Sequence, residues 1–149
     1  MTTPFPVSLP SAEATAQFES MLKQFDQLDI PVQHDLSGGM YARTGLILAG
    51  TTLIGATHKT DHINIVNGDI VVTTDDGMKR LTGYQVLPTK AGMKRVGYAI
   101  TDTWWTTICR TDLTDISAIE NEIVVESEQL QTRAKSLAMA ETAALPLGE

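Results

Sequence analysis

Cysteine is almost absent from this chain, in which Cys109 is the single one. One thiol cannot form an intrachain disulfide, and it cannot supply a cysteine-rich metal site. Cys109 ends a strand-like run rich in Trp and Thr, so we predict a small buried hydrophobic residue at this position. A catalytic thiol would need a neighbouring base, and the local sequence supplies none.

Basic residues and long apolar runs are also scarce. The chain carries 11 Lys and Arg against 18 Asp and Glu, a formal net charge of −7 at pH 7. An acidic surface repels phosphate, which argues against a nucleic-acid partner, and the cations Lys90, Lys94 and Arg95 are predicted to form a solvated loop. No apolar stretch is long enough to span a bilayer, and residues 1–6 lack the features of a secretory signal. We therefore expect no membrane partner and assembly in a cytoplasm.

The length of 149 residues suffices for one domain with additional arms. Residues 1–33 are predicted to form an N-terminal arm with one amphipathic helix, which Ser11 caps and Pro31 stops. This helix either packs on its own domain or docks on a neighbouring copy, and the pattern does not choose between the two. The apolar face of the helix is predicted to consist of Phe18, Met21, Phe25 and Leu28.

Residues 34–112 carry the signals of about eight short strands separated by turns, which are typical of a sandwich or a jelly-roll barrel. Asn67-Gly68 is predicted to be a hairpin turn, because both residues tolerate positive φ. Asp75-Asp76-Gly77 and Thr82-Gly83 mark two further turns. No long helical pattern interrupts the strands, which argues against a parallel sheet. Trp104 and Trp105 are predicted to point to opposite faces of one strand.

Residues 113–149 are predicted to form a C-terminal helical arm. Glu126 and Arg133 interrupt its heptad pattern, so a continuous coiled coil is not expected. The run 123–125 is compatible with a short strand instead, and the tail 143–149 is either loose or pinned on a partner. The apolar stripe of this arm consists of Ile116, Ile119, Ile123 and Leu130, with Leu137 further on.

Two short motifs lie among the predicted strands, at Gly50 or Gly55, His58 and Gly68, and then at Pro88 and Gly92. Their order and spacing, between about residues 39 and 111, resemble the two-motif signature of the cupin superfamily. The resemblance implies a mainly β fold, a cupin-like jelly-roll barrel, here with N- and C-terminal helical arms. It also implies a site inside the barrel.

Cupin metals are typically held by three imidazoles and a carboxylate, and this chain departs from that set. The second histidine position falls on Thr60, and the last one falls on Arg95, whose fixed positive charge would repel a cation. His58 and His62 would lie over ~10 Å apart in one strand at ~3.3 Å per residue, unless a turn folds them together. We therefore predict no metal and no other cofactor, and a polar barrel mouth in which His58, His62 and Arg95 are candidate binding residues.

The stretches Lys94 to Ala99 and Asp102 to Trp104 are similar to small cupin-like proteins encoded by tailed bacteriophages. This resemblance implies a phage-encoded protein, not a chemical activity. Jelly-roll barrels recur among proteins that decorate or cement phage capsids, and by that analogy we expect a non-enzymatic structural protein of the virion, assembled in the host cytoplasm. The expected role is a capsid decoration or cement subunit, with a tail component as the variant. Expected partners are further copies of the chain and other phage structural proteins such as the major capsid protein. The alternative is a small cupin enzyme or metabolite-binding protein that uses His58 and His62. Residues expected at an assembly interface are Phe18, Met21, Phe25, Leu28, Ile116, Ile119, Ile123 and Leu130.

Overall fold

The computed structural model describes residues 11–25, 27–127 and 130. Within them, seven strands are flanked by one short helix on each side, and neither helix is long or apolar enough to cross a membrane. In chain order the elements are α1 (Ala12–Leu22), β1 (Val32–Ser37), β2 (Met40–Ile47), β3 (Thr52–Ile54), β4 (His62–Thr74), β5 (Gly77–Thr89), β6 (Val96–Ala99), β7 (Thr103–Arg110) and α2 (Ile116–Ile123).

The seven strands form one antiparallel sheet in the order β1-β2-β7-β4-β6-β3, and β5 pairs with the other edge of β4. One edge of the long strand β4 pairs with β5, and the other edge pairs with two different strands along its length. Residues 63–67 pair with β7, whereas residues 70–72 pair with β6. The sheet therefore curls at this division, and its two halves face each other across an interior space. The predicted mainly β, antiparallel architecture with a helix on either side is confirmed.

The division of β4 explains a wrong turn prediction. Asn67-Gly68 and Thr82-Gly83 are not turns but lie inside β4 and β5, where Gly68 pairs with Gly83. A Cβ atom on Gly68 would lie 2.4 Å from Oγ1 and 2.7 Å from Cα of Thr103, the first residue of β7. Glycine is required here because another strand passes against the backbone, which a local turn rule cannot detect. The predicted turn at Asp75 and Asp76 is confirmed, and it joins β4 to β5.

Two clusters of buried side chains stabilise the curled sheet. The first joins α2 to the sheet, and the second lies where β4 approaches β6 and β3. Cys109 is fully buried in the first cluster, as predicted. Ile119 and Ile123, which we expected at an interface, are instead core residues, because the apolar face of α2 covers its own sheet. The first cluster is Tyr41, Cys109, Ile119, Ile123 and Val124, with Ile116 and Leu130 packed against it; the second is Ile47, Val66, Ile70, Val72 and Ala99.

Helix α1 begins at the predicted cap but ends before the predicted stop. The Ser11 side chain accepts a hydrogen bond from the backbone N–H of Ala14, and α1 ends at Leu22, far before Pro31. Met21 is exposed at the end of α1, and Phe25 and Leu28 are exposed beyond it. Leu137 and the tail 143–149 lie outside the described residues.

Helix α2 starts at the cap Asp115 and ends at Ile123, because the chain there turns outward to pair with another segment. Val124 adopts an extended conformation and forms a β-bridge with His58, and the backbone N–H of Val125 donates to the carbonyl of Thr57. Residues 123–125 therefore do not form the short strand that we considered, and a single β-bridge at Val124 is all that corresponds to it. The two bridged segments place His58 beside the interior space of the sheet.

Candidate binding cavity

The curled sheet encloses a cavity of about 900 Å³. Strand residues alternate between two faces, so every second residue of β4 and β7 points into the interior. From β4 these are His62 and Asn64 in the first half and Ile70 and Val72 in the second, and from β7 they are Trp105, Thr107 and Cys109. The lining is therefore polar near the start of β4 and apolar near its end.

The imidazoles of His58 and His62 lie against each other at one side of the cavity, with their ring centroids 4.2 Å apart. The bend at residues 59–60 brings them together, so the separation expected for an extended strand does not apply. Nδ1 of His62 donates to the carbonyl oxygen of Thr60 at 3.0 Å. The backbone around His58 is held on two sides, because Gly92 N–H donates to the His58 carbonyl and Lys59 N–H donates to the Ile123 carbonyl.

Both imidazoles are neutral at pH 7. Burial, and next the positive charge of a protonated His62, lower the pKa of His58 from 6.5 to about 4. Burial also lowers the pKa of His62, and the positive charge of Arg95 acts in the same direction. The pair therefore offers hydrogen-bonding nitrogens to the cavity without adding charge.

A network of neutral side chains lies beside the histidines. Oδ1 of the buried Asn64 accepts hydrogen bonds from Nε1 of Trp105 at 3.2 Å and from Oγ1 of Thr107 at 2.9 Å. Nδ2 of Asn64 donates to Oγ1 of Thr89 at 2.8 Å. The sequence reasoning missed this network, although alternation along β4 from His62 points to Asn64.

Arg95 enters the cavity from the segment before β6. Its Nη2 donates to Oγ1 of Thr89 at 2.7 Å, and its Nη1 donates to the carbonyl oxygen of Thr73. Its Cζ lies 6.0 Å from the ring centroid of Trp105, the distance of a weak cation–π contact. Thr89 thus links Arg95 to Asn64, and one hydrogen-bonded unit joins the guanidinium to the neutral network.

Lys94 lies at the mouth of the cavity and binds two carboxylates. Its Nζ is 2.7 Å from Glu19 of α1 and 3.1 Å from Glu126, which also accepts from the backbone N–H and the hydroxyl of Thr57. Burial lowers the pKa of Lys94, but the hydrogen bonds to Glu19 and Glu126 outweigh it, and the net change is upward. Of the three cations predicted to be solvated, only Lys90 is; Lys94 and Arg95 are drawn inward by these partners.

An ion pair forms another part of the cavity wall and was not predicted from the sequence. Nη1 of Arg43 lies 3.0 Å from Oε2 of Glu120, whose side chain is 2% exposed. The neighbouring hydroxyl of Tyr41 is 2.6 Å from Nδ1 of His34. Arg43 and Glu120 lie 77 residues apart in the chain, on β2 and α2, and no local motif indicates that they meet.

The lining does not fit a metal centre built from three imidazoles and a carboxylate. Among the described residues, no three His, Cys, Asp or Glu side chains come together where a metal ion could bind. The two imidazoles share the cavity with the guanidinium of Arg95, which would repel a cation. Burial raises the pKa of Cys109 to about 11, so this thiol is protonated at neutral pH and is a poor ligand or nucleophile.

No family model matches this sequence, and no curated protein matches it either. Solved structures that are similar include ectoine synthase from P. lautus, with 17% identity over 66% of this chain and 76% of that one, at a TM-score of 0.49. A cupin superfamily protein from Desulfitobacterium hafniense DCB-2 has 16% identity over 70% of this chain and 96% of that one, at a TM-score of 0.47. A cupin domain from Bordetella pertussis Tohama I has 13% identity over 58% and 98%, at a TM-score of 0.45. Similarities at this level assign neither an activity nor a ligand to this chain.

Proposed function

We propose that this chain is a non-enzymatic structural protein of a bacteriophage particle, namely a capsid decoration or cement subunit, with a tail component as the variant. The similarity of Lys94 to Ala99 and of Asp102 to Trp104 to small phage-encoded proteins supports the phage origin. One structural observation supports the assembly role, which is an uncharged apolar surface on the outer face of the sheet.

This surface, the outer band, runs across β5, β4 and β7. Residues directly opposite each other in paired strands share a face, and on the outer face Tyr84 and Trp104 both lie beside Asn67. Tyr84 is 65% exposed and Trp104 is 52% exposed. Antiparallel sheets commonly present polar residues on their solvent-exposed face, but no position of the band is charged. Its members are Ile63, Ile65, Asn67, Tyr84, Val86, Pro88, Trp104, Thr106 and Ile108.

A second copy of the chain is the partner that best fits the outer band. Each copy carries a net charge of −7, so two copies repel each other least where they meet through an uncharged face. Exposed Trp and Tyr side chains are the residue types that contribute most to protein interfaces. A stable interface buries about 800 Å² per partner around an apolar centre, and the outer band would supply that centre. A symmetric pair formed in this way would present the remaining surfaces to a capsid.

Measuring the mass of the protein in solution by light scattering coupled to gel filtration tests the self-association. We expect the wild-type chain to be a dimer or larger and Trp104→Glu to be a monomer. Val125→Glu is the matched control, because Val125 is 59% exposed but lies after α2, away from the outer band. A monomeric wild-type protein, or a Trp104→Glu variant that stays associated, would remove this support.

The location in a particle needs a separate measurement. Mass spectrometry of density-purified virions from the phage that encodes the chain should find it at a constant ratio to the major capsid protein. Its complete loss during gradient purification, with the capsid protein retained, would contradict a structural role.

A further inference from the structure

Among the described residues that line the cavity, Arg95 is the one cation that has no carboxylate partner within 4.0 Å. Arg43 is paired with Glu120 at 3.0 Å, Lys94 is paired with two glutamates, and Lys23 is paired with Glu19 at 3.5 Å. In the part of the chain that the structure describes, no carboxylate lies within 4.0 Å of Arg95, and Nε of Arg95 is buried without a hydrogen-bond partner. The negative charge of Asp75 acts on Arg95, but from beyond this distance. A guanidinium held inside a protein without a directly bonded carboxylate is a strong attractor for an anion.

The guanidinium is also held in a fixed position. Thr89 and the carbonyl of Thr73 accept one hydrogen bond each from Nη2 and Nη1, and Asn64 fixes Thr89 from the other side. A guanidinium has five N–H donors, and these two bonds engage only two of them. The terminal nitrogens therefore retain N–H groups for another acceptor, and a positioned arginine binds a carboxylate with little loss of side-chain freedom.

The surroundings of Arg95 indicate what the rest of the ligand is. Ile70, Val72 and Leu53 form an apolar wall of the same cavity, and Trp105 contributes its ring. His58 and His62 add hydrogen-bonding nitrogens but no charge at neutral pH. The cavity volume of about 900 Å³ exceeds that of an inorganic ion and lies in the range of small-molecule sites.

We propose that the cavity binds a small organic carboxylate, with its carboxylate group on Arg95 and its apolar body against Ile70, Val72 and Leu53. This site is independent of the assembly role, because the outer band lies on the opposite face of the sheet. The protein could carry either property without the other, and different experiments test them.

Binding of sodium hexanoate, compared with hexanamide and inorganic phosphate, tests the site by calorimetry and by ¹H–¹⁵N spectra of the arginine Nε–H groups. Hexanamide has the same apolar body without the charge, and phosphate has charge without the body. We expect saturable binding of hexanoate with a shift of the Arg95 Nε–H signal, and at least tenfold weaker binding of the other two probes. Equal binding of hexanamide, tighter binding of phosphate, or no saturable binding of hexanoate would overturn the proposal.

Two arginine variants sharpen the test. Arg95→Gln should lose at least tenfold in hexanoate affinity, whereas Arg80→Gln should bind as the wild type does, because Arg80 lies outside the cavity and pairs with Asp69. Hexanoate affinity that is unchanged in a folded Arg95→Gln protein would overturn the site. Should Arg95→Gln not fold, the Arg95 Nε–H signal of the wild-type protein still decides, because binding that leaves this signal unmoved contradicts contact with Arg95.

Discussion

Acidification is expected to destabilise this fold through the imidazole of His58. The folded protein disfavours the charged ring, because burial and the neighbouring His62 lower the pKa of His58 from 6.5 to about 4. The unfolded chain has no such environment, and there the ring takes up a proton near pH 6.5. Between pH 6.5 and pH 4 the unfolded state therefore binds more protons than the folded state. The free energy of unfolding must then fall as the pH falls through this window.

The size of the effect follows from the two pKa values. His58 alone should lower the free energy of unfolding by about 2 kcal/mol between pH 7 and pH 5, and by about 3 kcal/mol by pH 4. Since the stability of a domain is typically about 5–15 kcal/mol, this is a large fraction of the total. Full stability is expected above the unfolded pKa, where both states hold a neutral ring.

Urea unfolding of the wild-type protein and of His58→Gln at several pH values between 7 and 4.5 measures this contribution. Glutamine keeps an amide that can form hydrogen bonds but cannot be protonated, so the stability of His58→Gln should depend less steeply on pH. Ionisable groups that do not interact with His58 are common to both proteins and cancel in the difference. The reasoning is refuted if the two proteins lose stability in parallel, or if the His58 ring signal titrates near pH 6.5 in NMR spectra.

Three further predictions concern stability and reactivity. Gly68→Ala should lower the free energy of unfolding by about 3 kcal/mol or more, because the new methyl group meets Thr103, whereas Gly83→Ala meets nothing within 4 Å and should lose about 1 kcal/mol for its positive φ. Glu120→Gln should lower the free energy of unfolding by about 3 kcal/mol, because it leaves the arginine partner of this buried carboxylate without its counter-charge. Cys109 should react with a thiol reagent only when the protein is unfolded, because the thiol is buried and protonated.

Urea unfolding checks the first two predictions. The absorbance of the thiolate that a chromogenic disulfide reagent releases when it reacts with Cys109 checks the third. Equal losses for the two glycine variants would contradict the close approach at Gly68. A Glu120→Gln variant as stable as the wild type would show that the pair does not stabilise the fold. Fast reaction of Cys109 under native conditions would contradict its burial.

Local signals in the sequence predict the parts of the fold that local physics decides. Ser11 caps a helix because its side chain reaches a free backbone N–H three residues on, and the turn at Asp75 and Asp76 needs only its own residues and a glycine. The glycine at position 68 has a different origin, since it makes room for Thr103 from a distant strand. A turn and a close approach of two strands both require glycine, so the sequence alone does not tell which of the two causes applies. The three-dimensional structure does.

The candidate site shows the same limit. The sequence motifs indicated His58, His62 and Arg95, and the structure places all three around one cavity. The contact between the two imidazoles depends on a bend and on a bridge to Val124, which the sequence spacing does not reveal. Asn64 has no motif of its own, and its role arises from three partners on two other strands. The predicted binding role of the cavity and the predicted interface role of Phe18, Met21, Phe25 and Leu28 stay predictions.

The hairpin of β4 and β5 has a consequence for the speed of folding. Its two strands of 13 residues pair along their whole length around a two-residue turn, so little chain entropy is lost before the pairing begins. The pairing of β2 with β7 joins residues that are far apart in the chain, such as Met40 and Arg110, and must wait for a long loop to close. We expect the hairpin to provide the template on which the other strands assemble. Substitutions in its turn should then slow folding, whereas substitutions in β1 should mainly speed unfolding, as stopped-flow measurements in denaturant can resolve.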